Sequence, residues 1–361
     1  MRIQADSYEV ITKDAMAEMV TFINTHYPNS KRYIIADHNT LQHCLPIIDS
    51  YLGQLKVEQQ VFNIEPGEGS KSMDLAYQLW ENFTDLGLSR GDVILNIGGG
   101  VVSDLGGFVA ATYKRGVDVI NVPTTLLAMA DAAVGGKVGV NFNQLKNHLG
   151  YFSNPKAVFI HPDFLHTLPD REFVSGYAEM IKHALISDKK AWTEMVKQGA
   201  PSIDFATKIL PASIAIKNEF VKVDPLDKGK RRVLNFGHTM GHAIETLFMD
   251  SDTEVLHGEA VAAGMICAAY ISYKQCGLSK NSVMEISNLL QTIFDLEFVS
   301  WLMAENLALP LKHDKKNEGE SLRFVLLTEP GAAVYDQEVS MELALRSFEF
   351  VQSVINGEME F

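Results

Sequence analysis

The stretch Val93–Phe108, VILNIGGGVVSDLGGF, decides the fold of this chain. Its first part, VILNI, is short and rich in Val and Ile, as in a strand covered on both faces. The glycines at 98–100 then form a turn, and VVSDL begins a helix. Such a turn lets the backbone approach a phosphate closely, and the helix N-terminus favours its charge. The glycine triplet also fits an ordinary tight turn, and it does not match the dinucleotide-binding pattern GxGxxG. Asp104 fits either a ribose contact or a helix cap.

Similar runs lie on both sides of this stretch. YIIA (33–36), VDVINV (117–122) and AVFI (157–160) have the same Val- and Ile-rich composition, and Lys71–Leu86 carries apolar residues at helical spacing. Short apolar strands that alternate with helices are typical of a parallel α/β sheet.

After Pro169 the pattern becomes mainly helical. Helices are predicted at 171–186, 205–220, 238–248, 258–276, 281–294 and 341–356, with a β-pair at 322–327 and 333–335. We therefore predict an α/β protein with two domains: a mainly parallel nucleotide-binding α/β domain at 1–168, then a mainly helical metal-binding domain at 169–361. A cleft between two such domains is a common ligand site.

Composition excludes several classes of protein. The 361 residues contain 31 Lys+Arg and 45 Asp+Glu, a net charge of −14, which argues against nucleic-acid binding. A small anionic ligand needs only a local basic pocket. The long apolar run Ala260–Ile271 is shorter than the roughly 20 residues of a membrane span, so it predicts a buried helix. Three cysteines (Cys44, Cys267, Cys276) without CxxC spacing, and an N-terminus without an apolar signal core, favour the cytoplasm.

The helical half carries a carboxylate and histidines at metal-ligand spacing. Glu179 and Lys182 lie at i and i+3, His238 and His242 lie at i and i+4, and His257 begins the next apolar helix. One carboxylate with two imidazoles is the donor set of a catalytic zinc site. Spacing leaves open which two histidines bind, and Glu179 alone also fits an ion pair with Lys182.

Read together, these motifs resemble the 3-dehydroquinate synthase family, the zinc- and NAD-dependent members of the sugar phosphate cyclases. The stretches that carry the resemblance occur in family order: GEGSKS (67–72), GGGVVSDLGGFVAATYKRG (98–116), VPTTLLAMADAAVGGKVGVNF (122–142), LKN (145–147), TLPDREFVSGYAEMIKHALI (167–186), KRRVLNFGHTMGHAIE (230–245), LHGEAV (256–261) and HDKKN (313–317). Five positions depart from the usual family residues: Ser103, Met129, Ala133, Val138 and His161.

The resemblance implies a role for each matching residue. The implied zinc ligands are Glu179, His238 and His257, and cobalt can replace zinc. The implied NAD contacts are Asp37, Glu68, Lys71, Gly99, Gly100, Asp104, Thr124, Thr125, Lys137, Lys146 and Thr167. The implied catalytic residues are Lys137, Lys182, Lys217, Arg231, Asn235 and His242. The implied substrate contacts are Asp131, Lys146, Asn147 and Lys315, with Arg115 reaching a neighbouring subunit's phosphate site.

The implied reaction converts 3-deoxy-D-arabino-heptulosonate 7-phosphate (DAHP) to 3-dehydroquinate and phosphate in the shikimate route. It combines transient oxidation by NAD, phosphate elimination, reduction, ring opening and aldol closure. The expected ligand is thus a phosphorylated sugar acid, with no nucleic acid or membrane partner, and the family forms homodimers.

Three other interpretations remain open at this stage. A cyclase that makes 2-epi-5-epi-valiolone or 2-deoxy-scyllo-inosose acts on a substrate without a carboxylate, which the pair Arg231 and Lys217 disfavours. A metal-dependent polyol dehydrogenase would produce net NADH. A non-enzymatic binding protein would bind zinc and NAD without turnover.

Overall fold

The chain folds into two compact units. The computed structural model describes residues 1–55, 59–143, 145–249, 251, 253–313, 322–359 and 361. The first unit is Met1–Phe173 with Leu210–Asn218, and the second is Val174–Ile209 with Glu219–Phe361. The assignment of NAD to a domain at 1–168 and of zinc to a domain at 169–361 stays a prediction.

A seven-stranded sheet forms the centre of the first unit, in the order β1-β2-β9-β6-β5-β3-β4. All pairs are parallel except β1 with β2. The strands are β1 (Arg2–Gln4), β2 (Glu9–Ile11), β3 (Arg32–Asp37), β4 (Gln59–Ile64), β5 (Val93–Gly98), β6 (Asp118–Pro123) and β9 (Ala157–Phe159). The predicted parallel α/β fold is therefore confirmed, and the four predicted strands correspond to β3, β5, β6 and β9.

Helices pack on this sheet because their apolar faces cover its Val- and Ile-rich strands. They are α1 (Ala15–His26), α2 (His38–His43), α3 (Leu45–Leu52), α4 (Met73–Asp85) and α5 (Gly100–Thr112). Tyr33 and Ile35 of β3 lie in one buried cluster with Phe83 of α4 and Leu105 of α5. Helix α4 begins where Ser72 Oγ accepts a hydrogen bond from the amide of Leu75, at 3.2 Å.

An antiparallel hairpin that the sequence did not predict follows β6. Its strands are β7 (Lys137–Phe142) and β8 (Leu145–Phe152), and their register shifts between Val140 and Phe142. A π-helical turn at Ala128–Ala132 precedes the hairpin.

The second unit is mainly helical, as predicted. Its elements are α6 (Asp170–Ser187), α7 (Lys189–Gln198), α8 (Ile203–Val223), α9 (His238–Phe248), α10 (His257–Gln275), α11 (Lys280–Ile293), α12 (Ala308–His313), β10 (Leu322–Glu329), β11 (Ala332–Val339) and α13 (Met341–Ile355). The first turn of α6 and the middle of α8 belong to the first unit. The predicted β-pair is the antiparallel pair of β10 and β11. Helix α10 is buried on all sides along Gly258–Ser272, which explains its apolar run. Among the described residues, no helix is both long and apolar enough to cross a bilayer.

Candidate metal centre and nucleotide turn

The glycine turn joins β5 to α5 in the first unit. Gly98 ends the strand, and Gly99 rather than Asp104 occupies the N-cap position of α5. A Cβ added at Gly99 would lie 3.1 Å from Thr125 Cγ2, and one added at Gly100 would lie 3.3 Å from Ala132 Cβ. A side chain at either glycine would crowd these neighbours, and the turn leaves backbone amides at the helix start as the groups that can meet an anion.

Asp104 faces a lysine instead of capping the helix. Its Oδ2 atom lies 2.5 Å from the buried Nζ of Lys71, and Glu68 Oε1 lies 3.9 Å from the same Nζ. Burial raises the pKa of Asp104, and Lys71 acts in the opposite direction. The structure therefore brings Glu68, Lys71 and Asp104, all predicted NAD contacts, into one charged cluster.

The other predicted nucleotide residues stabilise the ends of neighbouring elements. Asp37 Oδ1 caps α2 by accepting from the amide of Thr40 at 2.7 Å. The amide of Thr124 donates to Gly98 O at 3.0 Å, which holds the start of the next loop against the glycine turn. Thr125 Oγ1 accepts from the amide of Ala128 at 3.2 Å, and Thr167 Oγ1 donates to Phe164 O at 3.1 Å.

The predicted substrate-binding residues of the first unit differ in burial and in the elements that carry them. Lys217 Nζ lies 2.7 Å from Asp131 Oδ1, which the π-helical turn carries. Lys137 begins β7 and is exposed, and Lys146 and Asn147 lie on β8. Arg115 is exposed on a 3₁₀ turn (Tyr113–Arg115) at φ 66°.

The second unit assembles a compact donor cluster. His238 Nε2 lies 3.5 Å and His257 Nε2 lies 3.3 Å from the same atom, Glu179 Oε1. Metal–ligand bonds of about 2.0–2.1 Å place neighbouring donors of a tetrahedron roughly 3.3 Å apart. The three side chains therefore fit a tetrahedral zinc ion, and all three donor atoms lie within 4.8 Å of one another. Of the three histidines considered from the sequence, His238 and His257 meet the carboxylate.

Each imidazole of the cluster is oriented through its other nitrogen. His257 Nδ1 lies 3.3 Å from Oε2 of the buried Glu245, and His238 Nδ1 lies 3.2 Å from Phe236 O. Metal-binding histidines usually make such a contact, because it fixes the tautomer and the ring orientation. The cluster thus has the outer contacts of a metal site as well as its donors.

The charges within the cluster shift its ionisation. Burial acts to raise the pKa of Glu179, but Lys182, whose Nζ contacts Glu179 Oε2, holds this pKa well below its usual range together with the histidines. Burial lowers the pKa of His238 well below its usual value, and Lys182 adds to this effect. His238 is thus held neutral, the form that binds metal.

A close approach between two helices positions the donors. A Cβ at Gly258 would lie 2.1 Å from Ser175 O, so only glycine lets the start of α10 pack this closely on α6. The amide of Gly258 donates to Ser175 Oγ at 2.9 Å. His257, next to this glycine, is thereby held near Glu179 on α6.

The remaining predicted residues of the second unit lie near α9. Arg231 is buried on a 3₁₀ turn (Lys230–Asn235), where its Nη1 donates to Pro225 O at 3.0 Å. Asn235 Nδ2 donates to Arg232 O at 3.1 Å, and the His242 ring centroid lies 5.2 Å from that of His238. Lys315 lies outside the described residues.

Family comparisons agree with this arrangement. The profile of the 3-dehydroquinate synthase N-terminal family matches residues 61–175, and that of the 3-dehydroquinate synthase C-terminal family matches residues 176–317. The chain belongs to the 3-dehydroquinate synthase family. Over 343 residues it is 38% identical to the 3-dehydroquinate synthase of Parabacteroides distasonis, a match that covers 94% of this chain and 96% of that protein.

Two solved structures share the fold of this family member. A 2-epi-5-epi-valiolone synthase from Streptomyces hygroscopicus, with NAD⁺ and Zn²⁺ bound, aligns with TM-score 0.86 and 24% identity, covering 97% of this chain and 98% of that one. A 2-deoxy-scyllo-inosose synthase, complexed with carbaglucose-6-phosphate, NAD⁺ and Co²⁺, aligns with TM-score 0.85 and 24% identity, covering 96% and 99% of the two chains.

Three residues that have structural roles near the predicted site were not identified from the sequence: Glu245, Asp224 and Asn141. Glu245 follows His238 at i+7, a spacing that places both on one helix face and could have identified it. Asp224 accepts hydrogen bonds from the amides of Gly229 and Arg231, at 2.6 and 3.2 Å, and so shapes the loop before Arg231. Asn141 lies in the β7–β8 hairpin, which the sequence did not predict, so no sequence signal identified it.

Proposed function

We propose that this family member converts DAHP to 3-dehydroquinate and phosphate. The observation that carries the proposal is the donor cluster of Glu179, His238 and His257 in a chain of this family. The reaction belongs to the shikimate route to chorismate and the aromatic amino acids, and we place it in the cytoplasm.

Two groups supply the chemistry that side chains lack. Glu179, His238 and His257 would hold zinc, which would supply Lewis-acid activation of a substrate hydroxyl, and NAD would supply the hydride acceptor and donor. The NAD contacts in this proposal are Asp37, Glu68, Lys71, Gly99, Gly100, Asp104, Thr124, Thr125, Lys137, Lys146 and Thr167. The charged cluster of Glu68, Lys71 and Asp104 beside the glycine turn supports this assignment.

The chain's own residues bind and orient the substrate. Arg231 provides a planar fork for the carboxylate, with Lys217 as the second cation. The residues that hold the phosphate are Lys137, Lys146, Asn147, His242 and Lys315, with Arg115 of the partner subunit in a homodimer. Asp131, Lys182 and Asn235 contact the hydroxyl-bearing part of the substrate. His242 also relays a proton as the phosphate leaves.

The deciding experiment measures phosphate release from DAHP, with and without added NAD and with a zinc chelator. Sedoheptulose 7-phosphate and glucose 6-phosphate are offered in parallel. Release from DAHP alone, without net NADH and abolished by the chelator, supports the proposal. Release from one of the other two sugars would instead indicate a different cyclase, and net NADH would indicate a polyol dehydrogenase.

Two histidine variants test the metal assignment. His257→Ala should abolish turnover and lower the zinc content, because it removes one of the three donors. The control is His26→Ala, an exposed histidine at the end of α1, which should change neither quantity. Full activity and unchanged zinc in His257→Ala would disprove the assignment.

A further inference from the structure

The β7–β8 hairpin contains a bulge at the predicted phosphate-binding residues. Val140 pairs with Leu149 and Phe142 pairs with Leu145, so residues 146–148 of β8 face the single residue Asn141 of β7. Bulges of this kind re-aim side chains and are frequent beside active sites. Here the bulge contains Lys146 and Asn147.

The Asn141 side chain bridges this bulge to another part of the predicted site. Its Oδ1 atom accepts from the amide of Asn147 at 2.9 Å, and its Nδ2 group donates to Glu68 Oε1 at 2.9 Å. The amide of Asn141 donates to Lys71 O at 2.8 Å. One residue is thus bonded to the bulge and to two predicted NAD contacts.

The bulge adopts a backbone conformation that needs such support. Asn147 has φ 52°, in the left-handed region that costs energy for residues other than glycine. The hydrogen bond from its amide to Asn141 Oδ1 fixes this conformation and offsets its cost.

We propose that Asn141 is a positioning residue that fixes the phosphate-binding segment Lys146–Asn147 and the nucleotide-binding Glu68 in one arrangement. The inference rests on the proposed function for the roles of those residues. Without the Asn141 side chain, the Asn147 backbone loses its acceptor and the Glu68 carboxylate loses its donor. Affinity for phosphate and affinity for NAD then fall together, although Asn141 is not among the proposed contacts of either ligand.

Binding measurements on the zinc-loaded full chain, together with steady-state kinetics on DAHP, test this positioning role. NADH is titrated by fluorescence and inorganic phosphate by calorimetry, in the wild type and in Asn141→Ala. Loss of one ordinary hydrogen bond changes an equilibrium constant by about three- to tenfold. We expect both dissociation constants to rise by about this factor, and the KM for DAHP to rise more than kcat falls.

Asn141→Asp separates the two contacts. It keeps the acceptor for the Asn147 amide and places a carboxylate against Glu68, so the Kd for NADH should rise. The Kd of Asn141→Asp for inorganic phosphate should equal that of the control Asn143→Asp, which adds the same charge at the hairpin tip. Combined with Glu68→Gln, which supplies a donor, Asn141→Asp should weaken NADH binding less than it does alone.

The outcomes separate this inference from the proposed function. If Asn141→Ala raises only one of the two dissociation constants, or if Asn143→Asp weakens NADH binding as much as Asn141→Asp does, the inference is wrong. If Asn141→Ala does not fold, Asn141→Asp and its combination with Glu68→Gln decide. If the Asn141 variants show the coupled binding effects but the wild type does not turn over DAHP, the proposed function alone is refuted. A wild type that binds neither NADH nor phosphate would overturn both.

Discussion

The carboxylate of Glu245 supports the metal cluster through His257, and its replacement tests that support directly. Its Oε2 atom lies 3.3 Å from His257 Nδ1, and the side chain is only 5% exposed. Burial acts to lower the pKa of His257, but the carboxylates of Glu245 and Glu179 raise it to about 10. With zinc on Nε2, the Nδ1–H group of His257 would donate to the Glu245 carboxylate, which makes this a charge-assisted hydrogen bond.

Two substitutions divide these contributions. Glu245→Gln keeps the shape and an acceptor oxygen but removes the charge. A hydrogen bond to a charged group contributes about 1.5–3 kcal/mol and a neutral one about 0.5–1.5 kcal/mol, so the charge contributes roughly 1–1.5 kcal/mol. Zinc affinity should fall about tenfold in Glu245→Gln. In Glu245→Ala, which removes the whole contact, it should fall about 100-fold, the upper end of the usual range for such outer contacts.

Competition with a chromophoric zinc chelator measures these affinities. The matched control is Glu285→Gln, since Glu285 Oε1 also accepts one hydrogen bond from a ring nitrogen, Trp192 Nε1, at 2.7 Å. Activity lost in Glu245→Gln should return in excess zinc. If Glu245→Gln binds zinc as the wild type does, or if Glu285→Gln weakens zinc equally, the orienting role of Glu245 is refuted.

Three further predictions concern packing, recognition and thiol chemistry. Gly107→Ala would place a Cβ 2.3 Å from Val138 Cγ1, so the free energy of unfolding in chemical denaturation should fall by about 1–3 kcal/mol. Adding Val138→Ala should restore part of this free energy, and a double variant that is no more stable would contradict the clash. Arg231→Lys loses the planar fork and should raise the KM for DAHP about tenfold. The control is Arg232→Lys at the half-exposed neighbouring residue, which should leave KM unchanged. Equal KM values in the two variants would exclude the carboxylate contact of Arg231. Cys44 and Cys267 are buried, and burial raises their pKa values to about 11 and about 12. Burial also raises the pKa of Cys276, but this thiol is partly exposed, so a disulfide reagent at about pH 8 should modify the native protein at Cys276 first; three thiols that react equally fast would refute this.

The fold could be predicted where its strands are covered on both faces. β3, β5, β6 and β9 lie inside the parallel sheet, and their continuous Val and Ile runs identify them. β4 is an edge strand with the polar sequence QQVFNI and partly exposed residues, so its composition does not distinguish it from a loop. β1 (RIQ) and β2 (EVI) have three residues each and contain charged or polar residues, so they lack the continuous apolar run of the equally short β9 (AVF).

Spacing alone predicts the donors of the metal cluster as a group but not individually, and only the family resemblance selects His238 and His257 from the three histidines. His238 and His242 are one turn apart on α9, and spacing treats them alike. Only the approach of α10, which depends on the contact of Gly258 with Ser175, brings His257 Nε2 to Glu179 and leaves His242 aside. Long-range packing of this kind has no local sequence signal.

The lysines of the predicted site change how the net charge of −14 is interpreted. From the sequence alone, an acidic exterior around a basic cleft would attract the anionic substrate. Among the described residues, three lysines are buried, and each contacts a carboxylate of its own unit: Lys71 with Asp104, Lys182 with Glu179, and Lys217 with Asp131. Burying an ammonium group without such a partner is costly, so these carboxylates are part of what allows the lysines to be buried at all. Each of these pairs is electrically neutral, so together they contribute nothing to the net charge of −14, and these buried lysines are not bare cations. In the proposed function, these lysines would therefore recognise an anion through the geometry of their N–H groups more than through a local excess of positive charge.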